Sequence, residues 1–285
     1  MNVAFDLTSA TTYLPHTFAC STLDPAGLNL RRFAGVSEAG ARGRNPERSL
    51  RGIFSFQEAE RRYHPSMRVY KFLNKQFGLK GLYERRLKQS RIHELNDPFE
   101  LAPYDLTKPA VRHAFLSLRE VFGQENGLVC FSASWQNPVI WAHYADKHQG
   151  ICLGFEIPPI TGDGGKDIAK KVTYISRPLH FPSEFLSLPQ ARQLRYANRI
   201  PFTKFNHWAY EKEIRVWGRL SNEEDGLHFF VFEKRMRLVE VRVGASCTLP
   251  RSAITRTLGA SASETRIIKV RAAHNRFAMV QDGGW

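Results

Sequence analysis

From Met67 onward, hydrophobic and polar positions alternate between a two-residue and a helical period. Arg68–Leu73 alternates well enough for a strand. Leu79, Leu82, Tyr83 and Leu87 recur near helical spacing, so Leu79–Gln89 reads as a helix with a basic outer face. Ser90–Leu95 suits a short strand, and Asn96-Asp97-Pro98-Phe99-Glu100 then turns sharply. Pro109–Phe122 is a second helix, with proline suited to its first turn. Leu128–Ser132 is a strand, and Asn137-Pro138 leads into a helix from Val139 to Lys147 that Gly150 stops. Ile151–Glu156 is a strand, Pro158–Asp167 a Gly/Pro loop and Val172–Ile175 a short strand. Arg192–Trp208 contains helix broken near Pro201. Lys212–Leu220 and Leu227–Phe232 flank a turn-rich Ser221–Gly226 segment and predict a hairpin-like pair. Leu238–Val243, Arg266–Ala272 and Arg276–Val280 read as strands, with a helix over Pro250–Leu258. No internal repeat is present. Helices and strands mix without strict alternation, which predicts an α+β domain over residues 67–285.

Residues 1–66 show neither period. Gly35–Pro46 is rich in Gly, Ala and Arg and reads as a linker, and Phe54–Tyr63 suits a short helix ended by His64-Pro65. The arginine excess from Arg31 to Arg68 makes this a basic, largely flexible arm. It is either a holder of nucleic-acid phosphates or a solvated tail.

Composition sharpens the partner question. Across 285 residues, 41 Lys and Arg oppose 27 Asp and Glu, for a formal charge of +14. Such an excess attracts polyanions, so nucleic acid or an acidic protein is the expected partner class, without implying any reaction. The four cysteines, Cys20, Cys130, Cys152 and Cys247, form no CxxC pair and no zinc-spaced Cys/His cluster. They read as reduced thiols of a cytoplasmic protein. No apolar run approaches 18 residues and no secretory leader pattern opens the chain, so a membrane anchor is not expected. Export as an effector through a machine that reads other signals stays open.

Three constellations can carry chemistry. Asn96–Glu100 is a stiff corner that either ties two elements together or presents two carboxylates. On the predicted helix after Pro138, Trp141, Tyr144 and His148 share one face, with His143 and Asp146 on the next. That helix is either core or a stacking surface for a planar ring. His143 and His148 point apart, so no metal site is expected. In Lys204-Phe-Asn-His-Trp-Ala-Tyr-Glu-Lys-Glu-Ile-Arg215, strand alternation from Lys212 onward puts Glu211, Glu213 and Arg215 on one face, which is either a cleft edge or a solvated face with an ion pair. Walker A, GxGxxG, GxSxG and HExxH patterns are absent.

Taken in order, these blocks resemble a bacterial family known as domain of unknown function 2971. The resemblance runs through Tyr70-Lys71-Phe72, Ser90 to Glu100, Cys130-Phe131-Ser132, Trp141 to Asp146, Gly150 to Phe155, Tyr210 to Arg215 and Val239 to Gly244. It covers about residues 68–280. The order of parts also resembles ADP-ribosyltransferase folds. That second likeness implies a split, mostly antiparallel sheet flanked by helices, with NAD as substrate in a cleft between two small sheets. It makes Glu213 the catalytic glutamate, Glu211 the residue facing the acceptor, and Ser132 part of the second motif. Tyr70, Lys71, Trp141, His143, Tyr144 and Arg215 become the NAD-binding set. The opening position departs from that pattern, with Tyr-Lys where His or Arg is usual. Two other classes remain. One is a non-catalytic nucleic-acid or nucleotide-binding module, and the other is a metal-dependent nuclease or hydrolase using Asp97, Glu100 and Glu213.

Overall fold

A computed structural model describes residues 66–157, 168–233 and 235–285. The basic arm expected over residues 1–66 therefore lies outside the described residues, apart from Ser66. The Pro158–Asp167 loop also lies outside them.

The elements, in order, are β1 (Met67–Leu73), α1 (Lys75–Glu84), β2 (Arg86–Gln89), α2 (Pro109–Glu125), β3 (Asn126–Ser132) and α3 (Pro138–Tyr144). Next come β4 (Ile151–Ile157), β5 (Ile168–Lys171), β6 (Thr173–Ile175), α4 (Gln190–Ala197), β7 (Thr203–Phe205) and β8 (Glu213–Arg219). The chain closes with β9 (Glu223–Glu224), β10 (Leu227–Val231), β11 (Arg237–Val243), α5 (Arg251–Leu258), β12 (Arg266–Ala272) and β13 (Met279–Gln281). The architecture is α+β. An eight-stranded sheet runs β13-β12-β11-β4-β1-β3-β8-β5, and smaller sheets run β2-β10-β9 and β6-β7. Among the described residues of the large sheet, only β11 and β12 pair in parallel.

Several expected elements are redrawn. The helix expected over Leu79–Gln89 is shifted. Asn74 caps it by accepting the Phe77 N–H at 2.8 Å, and Arg85 ends it in the left-handed region. Strand β2 takes up the remainder. Ser90–Leu95 is not a strand: Ser90 makes one bridge to Leu128, and Ile92–Glu94 form a 3₁₀ turn. Past Pro201 the helix expected to Trp208 gives way to β7 and a 3₁₀ turn over Asn206–Glu211, because proline cannot donate to a continuing helix. The expected hairpin is absent too. β8 joins β3 and β5, whereas β10 joins β2 and β9, so its two strands enter different sheets. The two small sheets expected to flank a cleft are replaced by one face of the large sheet.

One side of that sheet carries the largest apolar cluster. Val69, Phe131, Leu153, Phe155, Ile214 and Val241 pack there against Leu82 of α1 and Ile254 of α5. The other side carries two separate clusters. One gathers Phe115 of α2, Leu128, Trp217, Tyr104 and Phe181. The second gathers Tyr70, Phe72, Ile140, Trp141 and Cys152. Gly150 sets the second cluster's depth. A Cβ there would fall 2.1 Å from the Leu73 carbonyl oxygen and 2.9 Å from that of Ala145, so only glycine lets these backbones meet.

Candidate functional site

Between the two clusters the sheet opens. β1 pairs with β3 at Tyr70 and Ser132 alone, and Ser132 in turn pairs with Glu213 on β8. Tyr70, Ser132 and Glu213 therefore sit side by side across three neighbouring strands. Beyond that point β1 and β3 part, and a cavity of about 350 Å³ occupies the gap. Lys71 bridges the gap by donating from Nζ to the Cys130 carbonyl at 3.1 Å. The volume lies near the lower end of small-molecule sites, which run roughly 300–1,000 Å³.

Buried charge forms one wall. Lys204 on β7 is 5% exposed, and its ammonium meets Glu100 at 2.8 Å, Glu211 at 2.7 Å and Glu213 at 3.2 Å. An ammonium has three N–H groups, and each faces a different carboxylate. Arg215, fully buried, forks onto Glu213 with contacts of 2.8 and 2.9 Å, reaches Glu100 at 2.7 Å and donates to the Pro201 carbonyl at 2.9 Å. Three carboxylates thus face two cations, leaving one negative charge in excess.

Local backbone chemistry brings these groups together. Glu211 ends the 3₁₀ turn, Lys212 adopts φ 47°, and Glu213 begins β8. The left-handed residue turns the chain so that two carboxylates spaced two apart both reach one ammonium. Glu100 arrives from the Asn96–Glu100 corner, where Asp97 accepts the Phe99 N–H at 2.9 Å and its carbonyl accepts the Glu100 N–H at 2.9 Å. Asp97 is thus a corner-holding residue and does not line the cavity.

Glu211 and Glu213 titrate in opposite directions. Burial pushes Glu213 up, but the Arg215 fork and then Lys204 outweigh it and hold its carboxyl down to about 2. Burial also raises Glu211, and Lys204 and the Tyr144 hydroxyl offset this only in part, so its pKa ends above the usual carboxylate range. Tyr144 Oη donates to Glu211 at 2.5 Å, and burial followed by that bond raises the phenol's own pKa. Lys204 is raised despite its burial, because Glu213, Glu100 and Glu211 together outweigh desolvation.

The cavity collects Tyr70, Lys71, Ser132, Tyr144, Glu211 and Glu213 from the residues singled out by sequence. Ser132 is 5% exposed, and its hydroxyl lies 2.6 Å from the Glu211 carbonyl and 2.8 Å from that of Ser134. One hydroxyl proton serves only one of these, so Ser132 ties the end of β3 to the Glu211 backbone. Arg215 lies behind the wall and acts on Glu213. Trp141 is fully buried, donates its indole N–H to the Trp135 carbonyl at 2.6 Å and meets Phe72 edge-on, away from the cavity. His143 is exposed and contacts the Tyr210 hydroxyl at 3.1 Å, also outside it. The face expected to join Trp141, Tyr144 and His148 is not a helical one. α3 ends at Tyr144, residues 146–148 all have positive φ, and this left-handed run stacks His148 on Trp141 at 6.4 Å. Lys204 opens the charged block in the sequence, but its role is not legible there. Its one legible signal was a lone cation in the otherwise apolar and polar-neutral stretch after Pro201.

Residues 140–216 match the model of a family described as Protein of unknown function (DUF2971). The matched stretch holds Tyr144, Lys204, Glu211, Glu213 and Arg215, whereas Tyr70, Glu100 and Ser132 fall before it. No curated protein and no solved structure gives a significant match to the chain. No helix among the described residues is long and apolar enough to cross a membrane.

Proposed function

We propose that the cavity binds NAD and catalyses carboxylate-assisted transfer of its ADP-ribosyl group. The observation that carries this reading is the alignment of Tyr70, Ser132 and Glu213 across β1, β3 and β8 at one mixed polar and apolar cavity. Glu213 is kept ionised by Arg215 and Lys204, so its charge stabilises an oxocarbenium-like ribose as the glycosidic C–N bond breaks. The bonding pair leaves with nicotinamide. The acceptor's O–H or N–H then forms the new bond to the ribose carbon, and its proton passes to Glu211. A raised carboxylate suits that role, because a base works best when its pKa lies nearer the ambient pH. Tyr144 orients Glu211 and replaces Trp141 and His143 as the aromatic wall for nicotinamide. Lys71 supplies positive charge for the pyrophosphate. The net charge of +14 favours an anionic acceptor, a nucleic acid or an acidic protein.

A metal-assisted hydrolase fits less well. The space between Glu100, Glu211 and Glu213 is filled by the Lys204 ammonium, and Asp97 lies away from them. Nicotinamide release from NAD is the test, run with wild type, Glu213→Gln and Tyr144→Phe. Activity should vanish in Glu213→Gln while the fold persists by circular dichroism. In Tyr144→Phe the acidic limb of the pH profile should move upward, because Glu211 loses a donor to its ionised form. NAD binding without turnover in the wild type would instead establish a binding module.

A further inference from the structure

A second cavity, of about 550 Å³, lies on the far side of the segment that walls the first. Ser90, Glu94, Leu95 and Asn96 line the catalytic cavity, whereas Arg91, Ile92 and His93 line this one. The opposite wall is α2, which contributes Leu116, Arg119, Glu120 and Gly123. Two features set it apart from ordinary basic surface. First, the Nε atoms of Arg91 and Arg119 are both buried without a hydrogen-bond partner. Second, neither guanidinium ion-pairs with any described carboxylate, although Arg68, Arg85, Arg86, Arg215, Arg237 and Arg242 all do. A partly buried guanidinium without a counter-charge carries a desolvation cost that an anionic ligand would offset through charge and through the guanidinium N–H groups other than Nε.

Arg91 is also held in place. Its Nη2 lies 2.6 Å from His228 Nε2. Arginine only donates, so that ring nitrogen must be the unprotonated acceptor. The contact anchors one end of the guanidinium and leaves Nε directed elsewhere. Burial lowers the pKa of Arg119, the direction expected of a cation short of counter-charge. Beside the arginines, Ile92 and the half-exposed Leu116 form an apolar floor.

We propose that this second cavity binds the phosphate group of a nucleotide-type ligand, with Arg91 and Arg119 as the anion clamp and Ile92 and Leu116 beneath the base. A single phosphate would fill only part of the space, which is why a ring-bearing phosphate is the fitting class. The assignment stands apart from the chemistry of the first cavity.

Isothermal titration of the full chain at low salt tests it, with inorganic phosphate, 5′-AMP and adenosine as probes. Phosphate and AMP should bind and adenosine should not. Arg119→Gln and Arg91→Gln should each weaken AMP binding by at least about tenfold, the scale of a lost charge-assisted hydrogen bond. Arg256→Gln, an equal loss of charge on the exposed face of α5, should leave binding unchanged. Lys71→Gln, which removes the phosphate-facing charge proposed for the first cavity, should also leave it unchanged, which separates the two sites. Thermal melts confirm that each variant is folded. The proposal is overturned if neither anion binds or if adenosine binds as well as AMP. Equal weakening by Arg119→Gln and Arg256→Gln, or loss of AMP binding in Lys71→Gln, would overturn it as well.

Discussion

Replacing Lys204 by methionine keeps much of the side-chain volume and removes one charge. In the folded protein that charge touches three carboxylates at 2.7–3.2 Å, and every group involved has at most 7% of its side chain exposed. Without it, Glu100 and Glu213 keep only Arg215 as a counter-charge, Glu211 keeps only the Tyr144 hydroxyl, and the excess rises from one negative charge to two. Removing one partner of a buried ion pair costs roughly 3–5 kcal/mol, because the remaining charge stays desolvated. For a domain of this size, about 2–4 °C of melting temperature per kcal/mol translates this into a drop of about 6–20 °C. Urea unfolding, with the slope held constant between variants, measures the same quantity isothermally. The second step is diagnostic. Lys204→Met combined with Glu211→Gln restores the original formal charge and should recover a large part of the loss, through a coupling of about 0.5–3 kcal/mol. A loss below about 1 kcal/mol in the single variant would match a solvated surface pair and refute the buried-tripod reasoning. Strict additivity in the double variant would refute the coupling.

Acid stability should follow Glu213, whose folded pKa lies below its unfolded one. Its contribution is complete above about 4.5 and is lost as the pH falls towards 2, readable as a falling urea midpoint. Glu211 works in the opposite sense. Its raised folded pKa makes the ionised form a cost, so Glu211→Gln should hold or raise stability at neutral pH while leaving the acid limb in place. Gly150→Ala should destabilise by at least about 1–3 kcal/mol in thermal melts, because the new methyl meets carbonyl oxygens that cannot turn aside.

Local pattern alone determined much of this protein. Short, largely apolar runs located the strands at Leu128–Ser132, Ile151–Glu156 and Leu238–Val243 to within a few residues, because a strand buried on both faces reads as a near-continuous apolar stretch. The Glu-Lys-Glu-Ile-Arg run was legible as a charged face, and its spacing implied that Glu211, Glu213 and Arg215 act together. Tertiary structure decided the rest. Nothing in the order of residues says that β8 leaves its neighbour β10 for β3, yet that long-range pairing sets Glu213 beside Ser132. The role of Lys204 is of the same kind, since an ammonium finds three carboxylates only after β7, the Asn96–Glu100 corner and β8 have met. Trp141 shows the converse. Its helix was visible in sequence, but which side of that helix faces the core and which the cavity depends on Phe72 and Trp135 packing against it. Periodicity records which positions are buried. Burial beside another charge is a property of the assembled sheet.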